Sequence, residues 1–336
     1  MPVTRAETRG LEAPDRALEE ELRARLGEVE ASLEKAVRSD TEFVTDAARY
    51  LVAAGGKRFR PLLVLLAGYF GDPTDPRLIQ GATAIELTHV ATLYHDDVID
   101  EADQRHGVPS VNARWDNTVA ILTGDFLFAK ASELSADLGT EVTRLLARTI
   151  ATVCDGQLRE VEASGRSGQS KDSYMEIIRR KSASLIATSA RLGGMLSDAS
   201  PETIEQLDDY GTALGLAFQL SDDIMDVIST EEELHKEPGQ DMREGVFTLP
   251  VLYALEEGKD AAELSELLGN GPVAGDRLHR ALQIVRGEGS LLLARRAVTR
   301  EVRRAKQLSE GLAPGRARDA LVNIADFLAE RCGADR

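Results

Sequence analysis

Along nearly the whole chain the apolar residues recur at spacings of three and four and do not alternate with polar ones, which is the periodicity of helices and not of half-buried strands. Aromatic residues, which favour strands, make up only 4%. The pattern predicts an all-α protein with helices over 16–38, 40–53, 59–71, 75–102, 111–114, 118–137, 140–163, 171–196, 201–229, 246–257, 260–267, 275–286, 289–310 and 315–331. Turn-forming clusters separate them, among them Gly55-Gly56, Gly71-Asp72-Pro73, Gly107-Val108-Pro109 and Glu237-Pro238-Gly239. No Pro/Ser-rich linker divides the chain. Residues 16–336 are therefore expected to form a single-domain large helical bundle with an apolar interior, preceded by a flexible N-terminus over 1–15.

The charge balance narrows the partners. A formal net charge of −17 on 336 residues argues against nucleic acid, whose phosphates require clustered Lys and Arg. The two cysteines, Cys154 and Cys332, give neither a disulfide framework nor metal-ligand spacing. The polar N-terminus lacks an apolar signal core, so a reducing cytoplasm is expected. No run approaches the roughly 20 apolar residues that cross a bilayer, which limits any membrane contact to a peripheral one.

Two acidic clusters share one spelling, D-D-x-x-D: Asp96, Asp97 and Asp100, and far along the chain Asp222, Asp223 and Asp226. On a helix, positions i and i+4 lie about 40° apart and i+1 about 100° from i, so each cluster projects its carboxylates to one side. One copy alone is more often a solvated acidic face in a chain with 57 Asp and Glu. Both copies, however, follow apolar residues (Val90, Leu93 and Tyr94; Phe218 and Leu220) where solvated charge is not expected. The segments 75–102 and 201–229 are long enough to span a domain, and each carries its aspartates near its C-terminal end, so packing side by side would bring the clusters to one mouth. Carboxylates gathered in that way need cations, and hard oxygen ligands suit Mg²⁺ completed by substrate phosphate oxygens. A magnesium–diphosphate assembly above an apolar shaft suits a substrate with a diphosphate head and a hydrocarbon tail.

Basic residues that could meet a diphosphate stand nearby in the sequence. Gly55-Gly56-Lys57-Arg58-Phe59-Arg60-Pro61 supplies a flexible pair, three cations and a proline suited to starting a helix. Arg105 follows the first cluster, Arg179-Arg180-Lys181 has apolar flanks, and Lys236 follows the second cluster. Arginine suits bidentate phosphate contact and lysine a point charge.

Taken together, these segments resemble the trans-type isoprenyl diphosphate (polyprenyl) synthases. The resemblance rests on G-G-K-R-x-R-P at 55–61, E-L-x-H at 86–89, D-D-x-x-D at 96–100 with R-x-G-x-P at 105–109, and G-D at 124–125. It continues with Lys181-Ser182, F-Q-x-x-D-D-x-x-D at 218–226, K-x-x-G-x-D at 236–241 and T-L-P at 248–250. It implies a fold of the isoprenoid synthase type, a helical bundle around a central apolar substrate cavity. It further implies that Lys57, Arg60 and His89 hold the diphosphate of isopentenyl diphosphate. Asp96, Asp97, Asp100, Asp222, Asp223 and Asp226 would coordinate Mg²⁺, three ions per active site, around an allylic diphosphate bound by Arg105, Lys181 and Lys236, with Ser182 and Gln219 in the same pocket. Two positions depart from the family pattern. His106 stands where a second arginine that helps bind isopentenyl diphosphate is usual, and Val246 where many relatives have lysine.

The expected reaction is a sequential head-to-tail 1′-4 condensation of isopentenyl diphosphate onto the allylic diphosphate, by a homodimer as in the family. Rival readings are a short-chain (farnesyl or geranylgeranyl) synthase, a class I terpene cyclase and a non-catalytic synthase subunit. Two complete clusters beside Lys57, Arg60 and His89 favour condensation, because a cyclase needs no isopentenyl diphosphate site. In this family a bulky aromatic at the fourth or fifth place before the first cluster closes the tunnel. Here Thr88, Ala91 and Thr92 line that stretch, all small to medium. A path back to Leu78, about 27 Å at 1.5 Å per residue, holds on the order of six isoprene units of about 4–5 Å each. The expected product is a medium- or long-chain all-trans polyprenyl diphosphate.

Overall fold

The computed structural model describes residues 15–105, 107–165, 168–229, 238–269, 273–287 and 289–334. Sixteen α-helices account for most of these residues. In order they are α1 (Arg16–Ala36), α2 (Glu42–Ala54), α3 (Phe59–Gly68), α4 (Arg77–Ile99), α5 (Val111–Arg114), α6 (Asn117–Asp137), α7 (Thr140–Ala163) and α8 (Lys171–Ile178). They continue with α9 (Ser184–Leu196), α10 (Pro201–Ile228), α11 (Gln240–Glu244), α12 (Leu249–Glu257), α13 (Ala261–Leu268), α14 (Gly275–Gly287), α15 (Ser290–Glu310) and α16 (Arg316–Arg331). The fold is all-α, as the periodicity predicts.

Four features depart from the sequence reading. R-x-G-x-P forms a small hairpin, β1 (Gln104–Arg105) against β2 (Val108–Pro109), with Gln104 opposite Pro109 and Arg105 opposite Val108. The segment expected as one helix over 171–196 contains a π-turn at Arg179–Ala183, where the Ser184 amide reaches back to the Arg179 carbonyl. The third is α11, a short helix between two left-handed glycines, Gly239 and Gly245. A helix expected from 246 begins only at Leu249, because Thr248 is extended and Pro250 favours the first turn. The expected flexible N-terminus falls on residues 1–14, outside the described residues, apart from Asp15, whose carboxylate caps α1 through the Ala17 and Leu18 amides.

By internal packing the chain divides into two compact units. One comprises Met1–Ile150, Leu185–Gly211 and Leu308–Ile324, and the other Ala151–Ser184, Thr212–Gln307 and Ala325–Arg336. In the first unit, α4 packs against α1, α3 and α6. The α1 contribution is a stripe of Leu18, Leu22, Val29 and Leu33, all buried, each stabilising by roughly 1.5–3 kcal/mol. Every α3 residue except Arg60 is buried, so this helix is the centre of the unit and Arg60 its one partly open position. In the second unit, α12, α13 and α14 pack on one another, and α8 packs on α12. Among the described residues, no helix is long and apolar enough to cross a membrane.

Candidate active site

The first aspartate cluster ends α4 in the first unit. Its aspartates are not equivalent. Asp97 is fully buried, while Asp96 and Asp100 are half-buried. Arg105, on the hairpin, reaches Asp97 Oδ1 through Nη2 at 2.6 Å and Nε at 2.7 Å. Asp97 Oδ2 is buried with no hydrogen-bond partner among the described residues. Burial pushes the Asp97 carboxyl above its ordinary range, and the Arg105 charge opposes that shift. Beside the cluster, His95 Nε2 lies 3.5 Å from Asp125 Oδ1 and 3.1 Å from the Ile121 carbonyl. A Cβ at residue 124 would sit 2.4 Å from His95 Nε2, so G-D at 124–125 supplies both room and a partner for this ring.

On the preceding turns of α4, Thr88 and Ala91 are buried and Thr92 is half-buried. Both threonines satisfy their hydroxyls on their own helix, at Ala84 O and His89 O. Tyr94, the aromatic nearest the cluster on this helix, is turned onto α2, where its hydroxyl donates to Ala47 O at 2.6 Å and accepts from the Leu51 amide at 3.3 Å. His89 is half-buried on α4. At the glycine turn Lys57 is exposed, Arg60 is half-buried and Arg58 is buried. The three cations of that turn therefore do not face the same way.

The second cluster ends α10, and Asp222, Asp223 and Asp226 belong to the second unit. Asp223 is 2% exposed, and burial pushes its carboxyl up to about 7. Gln219 Nε2 donates to Asp223 Oδ1 at 2.9 Å, and the buried Tyr174 hydroxyl of α8 donates to Oδ2. Burial next to Asp223 in turn raises the Tyr174 phenol well above its usual range. Asp226 accepts from the Gln240 and Asp241 amides at the start of α11, each at 3.3 Å. Asp222, more open, is paired with Arg331 of α16, whose guanidinium also lies 5.7 Å from the Phe218 ring centroid. Lys181 and Ser182 sit half-buried on the π-turn, where Lys181 is paired with Glu160 of α7. A Cβ at Gly156 would come within 2.5 Å of the Lys181 amide nitrogen, so this glycine lets α7 approach the turn closely.

The structure thus brings Arg105 to Asp97 and Gln219 to Asp223. It ties Lys181 to a carboxylate outside both clusters. His106 and Lys236 lie outside the described residues. Tyr174, Glu160 and Arg331 were not anticipated from the sequence; each comes from a helix distant in sequence and carries no local motif. Among the described residues, no three His, Cys, Asp or Glu side chains are gathered as a ready-made metal site. Each cluster's own donors nonetheless fit a hard divalent cation: three carboxylates, the middle one a carboxyl that burial holds towards the proton-bound form, with a buried oxygen of Asp97 that has no partner among the described residues.

An all-α bundle carrying two D-D-x-x-D clusters at helix ends defines the class of isoprenoid synthases. Residues 41–285 match the family described as polyprenyl synthetase. The chain is 41% identical over 327 residues to nonaprenyl diphosphate synthase of Mycobacterium tuberculosis, covering 96% of this chain and 97% of that protein. It is 38% identical to heptaprenyl diphosphate synthase component 2 of Geobacillus stearothermophilus, covering 91% and 95%. It superposes with a TM-score of 0.84 and 41% identity on the crystal structure of geranylgeranyl pyrophosphate synthase from Corynebacterium glutamicum complexed with calcium and isoprenyl diphosphate, covering 95% and 99%. The chain belongs to the polyprenyl synthetase family of trans-isoprenyl diphosphate synthases and is a prenyltransferase.

Proposed function

We propose that this protein condenses isopentenyl diphosphate head-to-tail, in successive 1′-4 steps, onto an allylic diphosphate, giving a medium- or long-chain all-trans polyprenyl diphosphate. The observation that supports this reading is the pair of sunken carboxylates, Asp97 and Asp223, each the middle residue of a D-D-x-x-D, one keeping a buried oxygen that Arg105 does not reach and the other held by neutral donors alone among its described contacts. The proposal includes convergence of both clusters on one allylic diphosphate. Asp96, Asp97, Asp100, Asp222, Asp223 and Asp226 would hold three Mg²⁺ ions, which supply electrostatic stabilisation of the departing diphosphate.

The protein's own cations share that task. Arg105 and Lys181 are assigned to the allylic diphosphate, with Lys236 and the pocket residues Ser182 and Gln219, while Lys57, Arg60, His89 and His106 hold isopentenyl diphosphate. Positioning the isopentenyl double bond against the allylic carbon turns a two-substrate encounter into a step within one complex. The C–O bond to diphosphate breaks, the new C–C bond forms, and the proton lost from the isopentenyl unit passes to the released diphosphate. Apolar walls exclude water, which would quench the carbocation.

The small size of Thr88, Ala91 and Thr92, and the turn of Tyr94 onto α2, support growth of the chain along α4. A homodimer in the cytoplasm, with peripheral membrane contact for release of an apolar-tailed product, completes the reading. The test is incubation of the purified chain with radiolabelled isopentenyl diphosphate, Mg²⁺ and geranyl, farnesyl or geranylgeranyl diphosphate, followed by mass measurement of the dephosphorylated products. Products beyond the geranylgeranyl length are expected. Absence of incorporation with every primer refutes the reading, and cyclic products point to a cyclase.

A further inference from the structure

Arg58 is the one cation of the glycine turn that faces inward. It is 5% exposed, and its guanidinium spends four contacts on protein groups. Nε donates to Glu30 Oε1 at 2.5 Å and Nη2 to Glu30 Oε2 at 3.3 Å, both on α1. Nη1 donates to Glu86 Oε1 of α4 at 3.0 Å, and Nη2 also reaches the Val52 carbonyl of α2 at 2.7 Å. All of these residues belong to the first unit. The backbone at Arg58 is left-handed, with φ 46° and ψ 37°, immediately before α3. That conformation disfavours a side chain with a β-carbon, so its occurrence here reflects the surrounding contacts that hold it. Glu86 is 3% exposed, and its Oε2 has no hydrogen-bond partner among the described residues.

We propose that Arg58, together with Glu86, is a positioning pair for isopentenyl diphosphate. This inference rests on the proposed function. Arg58 directly follows Lys57 and precedes Arg60 by two residues, while Glu86 stands one helical turn before His89 on α4. A single guanidinium therefore ties the strand of chain bearing Lys57 and Arg60 to the helix bearing His89, which fixes the spacing of the three groups that hold the diphosphate. Arg58 is not a fourth ligand: reaching a substrate would leave the Glu86 carboxylate buried without its counter-charge. The planar fork also explains why arginine serves and lysine does not, since one ammonium cannot span two carboxylates and a carbonyl in three directions.

The test measures binding as well as turnover. Calorimetry with isopentenyl diphosphate alone, and with a non-reactive allylic thiodiphosphate, is run on wild type, Arg58→Lys and the double variant R58M/E86M. The double variant replaces a buried ion pair by apolar side chains of similar length and is expected to keep its melting temperature within a few degrees. Both variants are expected to bind isopentenyl diphosphate about tenfold more weakly, with allylic analogue binding changed less than twofold. In turnover, KM for isopentenyl diphosphate rises by the same factor while kcat falls less than threefold. Equal weakening towards both ligands, or no weakening in a folded double variant, overturns the positioning role. A wild-type protein that binds isopentenyl diphosphate but does not elongate it refutes prenyl transfer while the binding comparison still decides the role of Arg58.

Discussion

The two aspartate clusters have the same spelling and each lies at the C-terminal end of a long helix, yet their surroundings differ. In the first, Asp97 takes its counter-charge from Arg105, eight residues further on, and keeps one buried oxygen without a partner. In the second, two neutral donors, Gln219 and Tyr174, hold Asp223, and the arginine goes instead to the more open Asp222 from 109 residues away. A sequence motif thus fixes where oxygen donors occur but not how their charge is balanced without metal. The first cluster is balanced locally by an ion pair, whereas the second is held by hydrogen bonding around a carboxyl that burial pushes towards neutrality.

The largest expected effect falls on the buried aspartate of each cluster. Asp97→Ala and Asp223→Ala should each lower kcat by about 10²–10³-fold, and chelation by EDTA should abolish incorporation until Mg²⁺ is restored. Circular dichroism should show the helices intact; near-normal turnover in either variant would remove that aspartate from the metal site. Next, Ala91→Phe should shorten the product by several isoprene units, read by mass. An unchanged distribution would show that growth does not follow α4.

The smaller effects separate the clusters. Arg331→Gln frees Asp222 from its internal counter-charge and should tighten Mn²⁺ or Mg²⁺ binding a few-fold by calorimetry, because the ion no longer displaces a guanidinium. Weaker binding would make Arg331 part of the ligand-holding set instead. Tyr174→Phe removes a donor from a buried carboxyl and should cost about 1–3 kcal/mol, seen as a melting temperature lower by a few degrees. The deficit should shrink when Mg²⁺ and an allylic analogue are present, and a loss that ligands do not touch would make Tyr174 purely a packing residue.

The helices were readable because burial on one face imposes a period of three to four, and α1 to α10 fall within a few residues of the sequence reading apart from the π-turn. The hairpin at 104–109 and α11 escaped because each is too short to show a period. Glycines at 107, 239 and 245 punctuate them without stating what lies between. The aspartates announced themselves by repetition, whereas Arg331, Tyr174 and Glu160 became neighbours of the site only through packing of helices distant in sequence. The sequence groups Arg58 with Lys57 and Arg60 as cations that could meet a diphosphate. A turn carries no burial period, so its inward direction emerges only with Glu30 and Glu86 in place.

The π-turn at Arg179–Ala183 holds one residue more than an α-helical turn would. Removing one residue there would turn the wide turn into an ordinary α-turn and leave the helix on either side in register, whereas adding a further residue would rotate the helix that follows by about 100°. After such an insertion Leu192 would take the place of Gly193 against the Val64 carbonyl, where even a Cβ would fall 2.2 Å away. The segment can therefore exchange side chains or lose its extra residue more readily than it can gain one, so a library built for altered specificity should vary amino-acid identity there and never lengthen it.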